Sequence, residues 1–168
     1  MSSKQNRIFT TVLLSVYVLI LAWIVLLKLS AIGEWKYLFC ERSLNLIPFY
    51  YENEVGSHLE EVVLNVFIFV PFGMYLTMLG SDAWKAILIG FGLSLLFEAV
   101  QYVCAIGAAD VTDLLMNTLG TAIGVGGYLL LRKLCRRSER LNTVLNVITC
   151  VAIVLFLLAA AVLLIANR

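Results

Sequence analysis

Five residues of this chain have types and spacing that could do chemistry: Glu98, Gln101, Asp110, Asp113 and Asn117. On a helix, Glu98 and Gln101 stand three apart and share a face. Asp110, Asp113 and Asn117, spaced three and then four, share another. A short break at 105–109 separates the two groups, and the flanking sequence is almost wholly apolar. Two carboxylates in differently solvated positions could divide general-acid and general-base roles, which makes Glu98 and Asp113 the catalytic candidates. The same side chains could instead bind the polar part of an amphiphilic ligand, in a pocket formed by Asn65, Glu98, Gln101, Asp110, Asp113 and Asn117. The chain has no obvious nucleophile, metal-ligand set or oxyanion-stabilising cation beside them, which favours binding and leaves an intramembrane enzyme, acting on a lipid or cell-wall precursor, as the alternative.

The elements that must position these residues follow from composition. Of 168 residues, 62% are hydrophobic and 14% charged, against about half and a quarter in soluble domains. The sequence therefore predicts an all-α, polytopic membrane helix bundle, a single integral membrane domain over 1–168. Five spans are expected, at 8–29, 59–79, 84–104, 110–131 and 141–166, each about one bilayer thickness as a helix. The first is too long in its apolar core for a signal peptide and reads as a retained span. An ionised carboxylate at membrane depth costs about 2.5–3.5 kcal/mol on insertion scales. It persists where it faces protein or water and has partners.

Orientation follows from basic residues, which favour the cytoplasmic side. Lys4, Arg7, Lys85 and the Arg132–Arg140 cluster place the N-terminus in and the C-terminus out, with the 105–109 turn external. The cluster is a topology signal first and an anionic-lipid contact second. At 1.5 Å per residue, Glu98 is expected about 9–10 Å below the external end of span three. Asn117 and Asn65 are expected at similar depth, with Gln101 and Asp113 roughly one turn shallower. This arithmetic pairs Glu98 with Asn117 and Asn65, pairs Gln101 with Asp113, and leaves Asp110 at the mouth. The result is a polar pocket in the outer leaflet, lidded by the loop at 34–58, whose Trp35, Phe49, Tyr50 and Tyr51 suit the lipid–water boundary.

Packing residues are also legible. Gly120 and Gly124 form a small-xxx-small ridge for a neighbouring helix, and Pro71 with Gly73 marks an expected kink. Ser57 and Glu60 have the spacing of a capping box. Glu54, His58 and Glu61 are spaced four and three apart, but a helix starting at Gly56-Ser57 takes Glu54 off the shared face. One His also leaves zinc short of ligands, so no metal and no cofactor is expected. The four Cys contain no Cys-x-x-Cys; Cys40 and Cys104 would both be external and are candidates for a pair. Nothing points to nucleic acid. The partners expected are the lipid bilayer and a lipid-linked ligand, and the sequence leaves the oligomeric state open.

Four clusters carry a resemblance: Asn45-Leu-Ile-Pro48-Phe49; Asn65 with Pro71-Phe72-Gly73; Glu98-Ala-Val-Gln101; and Asp110-Val-Thr-Asp113 leading to Asn117-Thr-Leu-Gly120. In this order and spacing, over about 45–131, the chain resembles the VanZ-like family of bacterial membrane proteins. The resemblance implies a multi-pass protein of the bacterial plasma membrane, in a family whose founding member is associated with resistance to the glycopeptide antibiotic teicoplanin. A glycopeptide ligand is implied by this family resemblance alone. The family commonly has an Arg shortly before the first Asp, where this chain has Gly107-Ala108-Ala109. Thr112 stands where another acidic residue is frequent.

Overall fold

The computed structural model describes residues 3–27, 43–50, 55–135 and 138–166. Five helices account for most of them: α1 (Ser3–Leu27), α2 (Val55–Met78), α3 (Ala83–Cys104), α4 (Val111–Leu134) and α5 (Ser138–Ala166). All five are long and apolar enough to cross a membrane. In lipid a backbone cannot find water, so a spanning segment must satisfy its own N–H and C=O groups, and a helix does so. The chain is a multi-pass membrane protein. To the expected bundle the structure adds two short strands, β1 (Ser43–Asn45) and β2 (Ala108–Asp110), paired in parallel with Asn45 opposite Asp110.

The helices carry large apolar side chains outward, including Leu119, Ile123 and Leu130 of α4. Inward they turn small or polar residues: Ser94, Gln101, Asn117 and Thr121 are fully buried. This is the pattern of helices surrounded by hydrocarbon, where association comes from close packing and interhelical hydrogen bonds. The tightest seam joins α2 to α4. A Cβ added at Gly120 or Gly124 would overlap the carbonyl of Val66 or Val70, and one added at Gly73 would overlap that of Thr121. The ridge at Gly120 and Gly124 thus faces α2, whose Gly73 answers it. Pro71 lies inside α2, and within the same turn the Tyr17 hydroxyl of α1 donates to the Ile68 carbonyl at 2.6 Å. Phe69, Phe72, Phe97, Val125 and Leu21 fill the space between these elements.

Helix α5 docks mainly on α1. Asn146, fully buried, donates to Asn6 Oδ1 at 3.2 Å and to Thr10 Oγ1 at 3.0 Å. The α2 start corrects one expectation. The helix begins at Val55, two residues before Ser57, so Ser57 lies inside its first turn and is not the N-cap.

Charge is sorted between the two ends of the bundle. The described Lys and Arg residues (Lys4, Arg7, Lys85, Arg132, Lys133 and Arg140) lie where α1, α3 and α5 start and α4 ends. Only Asp82, paired with Lys85 at 2.7 Å, and Glu139 share that basic end among the described residues. Glu60, Glu61, Glu98, Asp110 and Asp113 lie toward the other, which also holds the strands.

Candidate functional site

Helix α3 ends where Ala105 takes a left-handed conformation, φ 54°. The Ile106 N–H then reaches back to the Gln101 carbonyl at 3.1 Å, a Schellman-type close. The chain does not cross directly to α4. It doubles back as β2, alongside the last turns of α3, and the Asp110 N–H donates to Glu98 Oε2 at 2.8 Å. Six residues of helix climb about 9 Å from Glu98 to Cys104. Three extended residues descend about 10 Å. The strand therefore returns the chain to the level of Glu98 before α4 begins.

Asp110 is the hub of the polar network at this end of the bundle. As N-cap of α4, it accepts the Thr112 N–H on Oδ1 at 2.7 Å, satisfying one of the orphan donors of the helix start. Its Oδ2 accepts from Asn45 Nδ2 at 3.2 Å. Asn45 also donates to the Tyr50 carbonyl and accepts the Ile47 N–H, each at 3.1 Å, which folds 45–50 into a tight turn. Phe49, at φ 58°, points its N–H at Thr112 Oγ1, 3.0 Å away. One connected set of bonds thus runs from the buried Glu98 carboxylate through Asp110 to the turn after β1. Non-helical backbone at such a place must be paired within protein, as the amides of Ile106, Asp110, Ile47 and Phe49 are.

Asp113, one turn into α4, accepts from Asn65 Nδ2 of α2 at 2.6 Å. Glu98 is buried, whereas Asp110 and Asp113 are half-buried. Gln101 donates to the Val25 carbonyl of α1 at 3.0 Å, and Asn117 donates to Ser94 Oγ of α3 at 2.9 Å. Gln101 Oε1 and Asn117 Oδ1 are buried without a hydrogen-bond partner among the described residues.

The expected pairings are therefore shifted. Glu98 accepts from the Asp110 amide, Asn65 donates to Asp113, Gln101 reaches α1, and Asn117 donates to Ser94. The depth arithmetic placed the start of α4 level with the end of α3, and the returning strand cancels that assumption. Glu98 and Asp113, the candidate acid and base, are held by different partners on different helices. Among the described residues no three His, Cys, Asp or Glu side chains are grouped to hold a metal.

Three contributors escaped the sequence reading. Thr112, fully buried, receives Phe49, and no sequence signal marked it beyond its place two residues after an N-cap. Ser94 carried a signal, because 94, 98 and 101 fall on one helical stripe. Asn45 belongs by sequence to a loop motif, and nothing in its neighbours marks it as the partner of Asp110. Gly107 packs its backbone against the Gln101 side chain, an added Cβ falling 3.3 Å from Nε2. Cys104 is an exposed free thiol, while its candidate partner Cys40 lies outside the described residues. So do most of the 34–58 lid, Trp35, Tyr51 and Glu54 among it, and the side chains of Ser57 and His58.

Comparison with known proteins bears on the whole of this arrangement. The family model described as VanZ/LLP1 matches residues 14–132, a stretch that includes every residue of the Glu98 network. Protein VanZ of Enterococcus faecium is 36% identical over 126 residues, which covers 74% of this chain and 76% of that protein. No solved structure matches.

Proposed function

The chain belongs to the VanZ/LLP1 family, and from that premise we propose that it lowers the susceptibility of a bacterial cell to glycopeptide antibiotics such as teicoplanin. In this reading it resides in the plasma membrane with the basic end in the cytoplasm, as the preference of Lys and Arg for that side implies. The Glu98 end then opens in the outer leaflet. The half-buried carboxylates of Asp110 and Asp113 are the contact groups; Glu98 holds Asp110 through its backbone amide, and Asn65 holds Asp113. Their complement is a ligand rich in hydrogen-bond donors: the hydroxyls, amides or ammonium group of a lipid-linked or amphiphilic envelope molecule.

The observation that carries this reading is the returning strand. A short crossing would join α3 to α4 at lower cost in chain. Instead, β2 brings the Asp110 amide onto Glu98 and pairs with β1, so that four separate segments meet around two rim carboxylates. Intramembrane ionisable residues that are expensive to keep and face the bundle interior mark functional sites by default.

The test is teicoplanin tolerance of a susceptible Gram-positive host expressing the chain. The parent is expected to raise the minimum inhibitory concentration above the empty vector. Asp113→Ala, at matched protein level in the membrane, is expected to return it to that baseline. Full tolerance from Asp113→Ala would remove the rim carboxylate from the reading.

A further inference from the structure

At the basic end, the starts of α1 and α5 and the ends of α2 and α4 border a half-open cavity of about 320 Å³, within the size range of small-ligand sites. It is remote from Glu98 and takes no part in the rim network. Two guanidinium side chains, Arg7 and Arg132, line it, with Asn6, Thr10 and Asn142 as further polar groups and Glu139 as the acid. Neither guanidinium has an ion-pair partner among the described residues, whereas Lys85 at the same end is paired with Asp82.

The polar wall is set in advance. Tyr128 donates to Asn142 Oδ1 at 2.9 Å, and the buried Asn146 holds both Asn6 and Thr10. A site whose groups are already oriented loses less on binding. Guanidinium groups present forked donors that match phosphate oxygens. The cavity lies at the ends of spanning helices, the level at which lipid headgroups sit, and basic pockets between such helices suit anionic headgroups. Glu139 adds an acceptor that would repel a second phosphate and take a hydroxyl.

We propose that this cavity binds the phosphate of an anionic amphiphile between Arg7 and Arg132, with headgroup hydroxyls directed to Glu139 and Asn142. The proposal is independent of the Glu98 network and stands or falls separately from it.

The test uses the full chain purified in a neutral detergent, where no charged bilayer surface adds its own attraction. Native mass spectrometry of added dioleoylphosphatidylglycerol is expected to show one tightly retained molecule, with dioleoylphosphatidylcholine not retained. Arg7 and Arg132 are at least partly exposed, so the double variant R7Q/R132Q leaves the packing alone; it is expected to weaken retention about tenfold or more. K133Q/R140Q, whose side chains do not line the cavity, is expected to change it less than about twofold. Equal retention by R7Q/R132Q, equal retention of the zwitterionic lipid, or an equal loss in K133Q/R140Q would overturn the proposal. Millimolar inorganic phosphate that fails to displace the lipid supports a lipid source for the phosphate; displacement supports the same anion chemistry with a soluble source.

Discussion

Glu98→Ala is expected to release β2 from α3 and to cost the folded protein about 2–3 kcal/mol, read as unfolding free energy in mixed detergent micelles. The Asp110 N–H that Glu98 accepts would be left without its acceptor in a buried place, and an unmet buried donor costs about 1–3 kcal/mol. The loss extends further, because Asp110 also positions Asn45 and Thr112, and linked buried hydrogen bonds are lost together. Glu98→Gln keeps an acceptor oxygen at the same reach and is expected to lose less than about 1 kcal/mol. A loss in the alanine variant no greater than in the glutamine variant would mean that the bond does not anchor the strand. The pair also separates binding from proton transfer. Glutamine cannot titrate, so a Glu98→Gln protein that retains teicoplanin tolerance speaks for a held pocket. One that accumulates normally but loses tolerance speaks for an acid–base role.

The second large effect is expected at the α2–α4 seam. Alanine usually improves a helix relative to glycine by about 1 kcal/mol. At Gly124 that gain is outweighed, because the added methyl group would meet the Val70 carbonyl and approach the Met74 amide. Backbone atoms cannot swing aside as a side-chain tip can, and overpacking of this kind costs about 1–3 kcal/mol. Gly124→Ala is therefore expected to be net destabilising, and Gly124→Leu to prevent folded protein from accumulating in the membrane. Gly126 and Gly127 are the internal control: nothing stands within 4 Å of a Cβ at either. Alanine there is expected to be neutral or mildly stabilising. Similar losses at all three positions would show that the seam is not the reason for glycine at 124.

Particular residues show how much of this was legible in the sequence. The five helices were, because predominantly apolar runs of bilayer length leave few alternatives to a helix. The shared faces were too: Glu98 with Gln101, and Asp113 with Asn117, follow from a 3.6-residue period that needs no tertiary knowledge. The levels at which those faces meet were not. They depend on the path of six residues, 105–110, and an extended return and a direct crossing have the same composition there. That one choice moves Asp110 from the mouth to the side of Glu98 and sets Asn117 against Ser94. Thr112 shows the other limit. Its hydroxyl's duty to the Phe49 amide exists only once the turn after β1 is folded. The glycines at 120 and 124 announced a close approach, but Gly73 became its counterpart only when α2 proved to be the neighbour.

The central claim is that the carboxylate rim opens to the outside of the cell, with the basic end in the cytoplasm. It is tested most directly by thiol labelling in intact cells with a membrane-impermeant maleimide, using single-cysteine versions of the full chain. One carries only Asp113→Cys and the other only Cys135, an exposed residue at the end of α4. Labelling of the cysteine at 113 in intact cells, with Cys135 reacting only after permeabilisation, is the predicted result. Labelling of Cys135 from outside while position 113 stays silent until the cells are opened would contradict it.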